Sequence, residues 1–404
     1  MAASARSSSS ARGARGRRGG LQLLALALAL ALAGGCTEEL EPLSGTSSLR
    51  VEVLAPDDLG SASQRLDDAA RSVVVQITAL DTEGEVDESF AGEVDIYTHF
   101  LGSLTPDLGD EPLATVTMTG GRSAEIPLEL PPVFGQTFLW VEHTRGDAPT
   151  FATGTSPTLW YRDPALVDVS RPPDEMALDA LESSPLEGKQ IQVSASRYGA
   201  RGRMVVTGVY AQGYTLSDVE CQDADGTPPC VPGDYDHVFV FTFNRPRGEQ
   251  GEAIAQGDVI SRLTGSIAEF NGLTEVNFPQ SFVASGQASE EIIPEPVVLQ
   301  PGWLDTHIEM ERVEAALVAV DGAMLCPLDD EFETYAQWKL ALGGSCGDRD
   351  VVNVITQGQV NDFDPAQYVD QVMPRVVGTL RPVNIGSFHV WILYPRSMSD
   401  ITLP

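Results

Sequence analysis

Two groups of residues in this chain stand in patterns that could do chemistry: a serine set among glycines, and five cysteines. Gly343-Gly344-Ser345-Cys346-Gly347 is a literal Gly-x-Ser-x-Gly, the pattern that exposes a nucleophilic serine on a sharp turn between a strand and a helix. Asp350 or Asp364, and then His389, follow in the serine, acid, histidine order used by one class of acyl-transfer hydrolase. The surroundings argue against it. Asp348-Arg349-Asp350 runs straight into the strand-like Val351–Ile355, and 59 residues remain after Ser345, without alternating strands and helices. The glycines fit a tight turn, and Cys346 is better used in a disulfide. No enzymatic activity is expected. The alternative is a hydrolase using Ser345 or an unrecognised carboxylate pair.

Four cysteines lie beyond residue 200, an even number suited to an oxidising compartment. Cys221 and Cys230 flank a turn-rich loop and form a natural pair, which leaves Cys326 with Cys346; four cysteines allow three connectivities. Zinc is the rival use, but neither pair has the two-to-four-residue spacing of zinc ligands, and His237 is the only histidine near them. Asp223-Ala224-Asp225-Gly226 has part of a calcium-loop pattern but lacks the acids that the full spacing requires. Asp329-Asp330-Glu331 with Glu333 fits a solvated acidic loop, and the five histidines are scattered. No metal or cofactor is expected.

The fifth cysteine has a different setting. Five arginines and no acid occupy residues 1 to 20, and Leu21 to Ala33 is apolar apart from Gln22, the layout of a secretory signal. The apolar run is shorter than the ~20 residues of a membrane-spanning helix. It ends in Leu32-Ala33-Gly34-Gly35-Cys36, which resembles the lipobox of bacterial lipoproteins, with Ala33 where leucine is commonest. The resemblance implies cleavage before Cys36, acylation (palmitate among the chains) of that residue, and a membrane partner reached through the lipid, each buried CH₂ contributing ~0.8 kcal/mol. Thr37 and Glu38 lack the aspartate of inner-membrane retention, so the expected address is the cell envelope, outer membrane before inner.

The chain has 25 basic and 58 acidic residues; loss of residues 1 to 35 takes five arginines and no acid, leaving a net charge of −38. That balance argues against nucleic acid, which is bound chiefly by Lys and Arg. An envelope protein or a glycan remains as partner. Some 370 mature residues are too many for one core.

Short apolar segments broken by Gly and Pro predict a mainly β protein. The expected order is signal peptide 1–35, lipidated tether 36–47, β-sandwich 48–164, linker 165–185, β-barrel 186–290 and a β-rich region 291–404. Seven strand candidates between Leu49 and Tyr161, with Val73–Gly84 followed by Phe90–Ile96, resemble bacterial immunoglobulin-like domains. The series Glu187-Gly188-Lys189, Gly257-Asp258-Val259 and Leu263 to Glu275 resembles OB-fold modules of extracellular bacterial proteins. The close of the chain at Gly378-Thr379-Leu380 and Trp391–Ile401 resembles the end of a second, degenerate OB-like barrel. OB-folds bind sugars or single strands by stacking, which makes Tyr210 and Tyr214 candidate ligand contacts, whereas alternating Phe239, Phe241 and Phe243 are expected to face the core. The expected function is a non-enzymatic envelope lipoprotein with a structural, adhesive or ligand-binding role, alternatively an oligosaccharide- or peptide-binding OB module.

Overall fold

The computed structural model describes residues 45–103, 111–144, 152–173, 183–305, 307–347, 350–385 and 388–404. Cys36 and the apolar run lie outside them. Among the described residues no helix is long and apolar enough to cross a membrane. The protein is mainly β, built as several antiparallel and mixed sheets.

The N-terminal unit holds β1 (Ser48–Ala55), β2 (Ser72–Leu80), β3 (Ala91–Phe100), β4 (Gly102–Ser103), β5 (Ala114–Thr119), β6 (Ile126–Glu129), β7 (Gln136–Thr144), β8 (Thr153–Thr155) and β9 (Leu159–Trp160). One sheet has the order β1-β2-β6; the other runs β5-β3-β7-β8, with β9 also on β7. Side chains alternate across a strand, so Val73, Val75 and Ile77 of β2 face Val94, Ile96, Leu139 and Val141 of the other sheet in one buried core. The sheets come so close that a Cβ at Gly154 of β8 would meet the Leu49 carbonyl of β1. Of the seven expected strands all appear, within a few residues.

The central sheet contains β10 (Lys189–Val193), β11 (Gly202–Tyr210), β12 (Gly213–Glu220), β13 (Val231–Phe241), β14 (Ile260–Phe270) and β15 (Leu273–Val283), in the order β11-β12-β13-β15-β14-β10. The β13–β15 pair is parallel and the others are antiparallel. Arg203 to Leu216, which reads in the sequence as one long strand, is a hairpin turning at Ala211 and Gln212. Gln212 and Gly213 mark the turn between two apolar runs. A Cβ there would lie 2.5 Å from both the Phe239 ring and the Val240 carbonyl.

The C-terminal sheet contains β16 (Val297–Val298), β17 (Leu317–Leu325), β18 (Gln337–Ala341), β19 (Val351–Ile355), β20 (Val372–Ile385), β21 (Phe388–Tyr394) and β22 (Ile401–Thr402). Its order is β16-β17-β18-β19-β21-β20-β22, with β19–β21 parallel, and β17 also pairs with β20, which brings five strands into a near-closed ring. Trp338, Leu340, Val352, Val354, Leu380 and Leu393 fill it. Arg312–Val320 reads in the sequence as one strand, but the strand begins at Leu317, and β18 falls in a stretch that does not read as a strand.

Two features tie the units together where a plain linker was expected. Strand β4 of the N-terminal unit pairs with β10, extending the central sheet. Residues 166–170 form a short helix whose Leu166 and Val169 are wholly buried among Leu216, Val238 and Ile267 of the central core. Asp168 holds its entry, accepting from the Ala165 amide and from both Nη atoms of Arg162. Leu166→Ala should therefore cost about 2–5 kcal/mol, as core truncations do. A urea melt showing less than about 1 kcal/mol would mean that the helix is no part of that core.

Candidate functional site

The residues singled out from the sequence are scattered over the structure. Ser345 is exposed in a turn after β18, the next described strand is β19, and Ser345 has no hydrogen-bond partner among the described residues. Asp350 accepts from the Gly302 amide, Asp364 caps the turn at Pro365–Gln367, and His389 is exposed on β21. Both disulfides form in the expected pairing, Cys221–Cys230 and Cys326–Cys346. Asp223 accepts from the Asp225 and Thr227 amides and the Thr227 hydroxyl, closing the loop between the first two cysteines. Among the described residues no group of three or more His, Cys, Asp and Glu is placed to hold a metal.

Tyr210 and Tyr214 are not on an open face. Tyr214 is completely buried, its hydroxyl 2.6 Å from Ser281 Oγ, and burial raises its pKa. The Tyr210 hydroxyl lies 2.6 Å from Thr379 Oγ1 and 3.2 Å from the Tyr394 carbonyl of the C-terminal sheet. Tyr214 is thus a core residue and not a stacking surface, whereas Tyr210 is tied by its hydroxyl to the C-terminal sheet and is partly covered by it.

The phenylalanine row departs from expectation in a graded way. Phe239 is buried, Phe241 is partly covered, and Phe243 is 49% exposed. Phe243 lies past the end of β13, its ring 4.5 Å from Phe241 and 5.3 Å from Phe278, which is 66% exposed on β15. Both exposed residues have left-handed backbone, φ 59° for Phe243 and 51° for Phe278, a conformation that bulky side chains rarely take. Hydrogen bonds from the Thr242 amide to the Gln212 carbonyl and from the Thr242 hydroxyl to the Asn244 carbonyl hold Phe243 there. Two apolar rings thus stand outward, side by side. Two residues on, Arg245 and Arg247 enter a cleft of about 580 Å³ whose walls include Tyr210 and Ile254 of the central unit and Gln359 of the C-terminal unit. The alternation Phe239, Phe241, Phe243 was visible in the sequence; the end of the strand before Phe243, which separates an inward ring from an outward one, was not.

A second polar cluster was not anticipated at all. Between Val219 and Ser217 of β12 the partner strand bulges through Gly233, Asp234, Tyr235 and Asp236, with Tyr235 at φ 62°. The bulge turns Asp236 inward, where its Oδ2 accepts from the Gly233 amide, the Tyr198 hydroxyl and Arg197 Nη2. Neighbouring Asp218 accepts from the Arg197 amide. Burial raises the pKa of both acids and takes Asp218 up to about 7, with the charge of Asp236 adding to the rise. His237, 2.7 Å from Ser217 Oγ, is pushed down to about 3 by burial and by Arg197, so it stays neutral. Both aspartates are sealed from solvent, and the cluster pins the connection between β10 and β11. An acid whose folded pKa is raised stabilises the fold below its unfolded pKa and loses that contribution as pH rises through the folded value.

No protein-family model, no curated protein and no solved structure matches the chain.

Stability should accordingly fall between about pH 4 and pH 7, and Asp218→Asn should flatten that fall by on the order of 1 kcal/mol or more. Equal pH slopes for the two proteins in chemical denaturation would show that Asp218 is not the group responsible.

Proposed function

We propose that the protein is a non-enzymatic cell-envelope lipoprotein that presents an oligosaccharide-binding surface on three linked β units. The carrying observation is the contact between the exposed rings of Phe243 and Phe278, each held in left-handed backbone. Exposed, adjacent aromatic faces favour flat apolar partners, and the C–H face of a sugar is one. Arg245 and Gln212 stand next to Phe243 in the chain or by hydrogen bond and supply the donors that hydroxyls need.

The repeated strand order supports an architecture of an immunoglobulin-like sandwich followed by two OB-type barrels. In the central unit β11-β12-β13-β15-β14 returns to β10, and in the C-terminal unit β17-β18-β19-β21-β20 returns to β17; the third and fifth strands are parallel in both. On this reading β10 and β11 are two pieces of one first strand. The anchor is Cys36, and the tether places the sandwich nearest the membrane.

A glycan array probed with the soluble chain, followed by titration of the best ligand, should give saturable binding. Phe243→Ala and Phe278→Ala should each weaken it by about tenfold, since a stacked ring contributes on the order of 1 kcal/mol. Absence of binding, or binding indifferent to both substitutions, would sink the proposal. The anchor has its own test: mass spectrometry of the native amino terminus should find a diacylglyceryl Cys36, and an unmodified thiol there would refute it.

A further inference from the structure

The seam between the central and C-terminal units gathers four carboxyl groups. Glu269 ends β14, Glu275 lies on β15, and Glu311 and Glu314 belong to the segment that leads into β17. Two of them, Glu314 and Glu269, meet at Thr274. Its amide donates to Glu314 Oε1 at 2.9 Å and its hydroxyl to Glu269 Oε1 at 2.8 Å, and Glu269 Oε1 also accepts from the Ser184 amide at 2.8 Å. The second oxygens of Glu269 and Glu314 are buried with no hydrogen-bond partner.

The charged groups that act on these carboxyls are mostly of their own sign. Glu311 and Glu269 act on Glu314, Glu187 acts on Glu269, and Glu269 acts on Glu275. Arg381 is the cation among them; it acts on Glu275, while its guanidinium faces three aromatic rings. A buried carboxylate with an unpartnered oxygen beside a second carboxylate does not hold its charge at low cost. Burial first, and then the neighbouring acids, raise Glu314 well above the usual carboxylate range; burial raises Glu269 and takes Glu275 up to about 7.

We infer that the seam is a proton-operated clasp, in which neutral Glu314 bridges the two units through Thr274, with Glu269 crowded against the same residue, and ionisation of these carboxyls drives the units apart. The bridge is physical as well as electrostatic, because Glu314 belongs to the C-terminal segment and Thr274 to the central sheet. The direction follows from the raised acids: docking is favoured while the carboxyls are protonated and is lost as pH rises through their folded values. The cleft at Arg245 and Arg247 has walls from both units, so its width depends on the same clasp. The inference stands on the seam alone, whatever the aromatic surface binds.

Hydrogen exchange of the full soluble chain, corrected for the intrinsic pH dependence of exchange, tests it. Between about pH 5 and pH 8 the peptides covering residues 271–276 and 378–384 should lose protection by about tenfold or more, while β2 in the N-terminal core should not. In Glu314→Gln the seam peptides should stay protected at both pH values; should that protein fail to fold, Glu269→Gln serves the same purpose. Asp321→Asn, an exposed acid on β17, should behave as wild type. Seam protection that does not change with pH, or that falls equally in the glutamine variants, overturns the clasp.

Discussion

The Arg381 guanidinium is the interaction on which the arrangement of the two later units depends. It is carried by β20 and lies 3.9 Å from the Phe239 ring, 4.5 Å from Tyr210 and 4.8 Å from Tyr394. Its Nε and Nη2 are buried with no hydrogen-bond acceptor, so ring faces stand in for water. Arginine tolerates this because its charge is delocalised and weakly hydrated, and a desolvated cation over a ring contributes up to about 2 kcal/mol. Burial lowers its pKa, with Tyr210, Tyr394 and Glu275 opposing the shift. Other contacts line up around it: Arg396 Nη1 donates to the Thr207 carbonyl, Gln359 Nε2 to the Val209 carbonyl, and the Asn384 amide to the Asn271 carbonyl.

That one docked cation also determines what remains exposed. Phe239 lies under Arg381 and is sealed; Phe241 is at the margin of the seam; Phe243 and Phe278 are past it. The outward pair is therefore the part of an aromatic row that the C-terminal unit leaves uncovered. Had the seam extended a few ångströms further, the row would be a continuous internal core with no surface to offer.

The period-two apolar pattern made most strands legible, since alternation such as Val73, Val75, Ile77 has one physical cause and one outcome. The disulfide pairing was legible from spacing. Three things were not. The turn between β11 and β12 is marked by Gln212 and Gly213 alone, set between Tyr210 and Tyr214, so the two strands read as one. The helix 166–170 is too short for a 3.6-residue period to declare itself, and its neighbours Arg171-Pro172-Pro173 look like a linker. The role of Tyr210 depends on Thr379, Tyr394 and Arg381, nearly two hundred residues away, and no local pattern encodes that meeting.

The shortage of cations connects these features. With more than two acids for every base, a randomly placed Arg or Lys would do little for so acidic a surface. Instead they stand at junctions. Arg162 with Asp168 holds the entry to the buried helix, Arg197 with Asp236 holds the connection between β10 and β11, and Arg396 with Asp400 ties the chain end to the central sheet. Surface ion pairs contribute little on their own, so their value here is in fixing where connections lie. The Thr274 seam is the junction at which acids gather, Glu275 facing Arg381 and Glu314 facing Glu311 and Glu269, and there a proton has to do what an arginine does elsewhere. Arg245 and Arg247 are the complementary case: neither has an acid partner among the described residues, the Arg247 guanidinium donates to the Gly251 carbonyl, and both line the cleft that the two later units share.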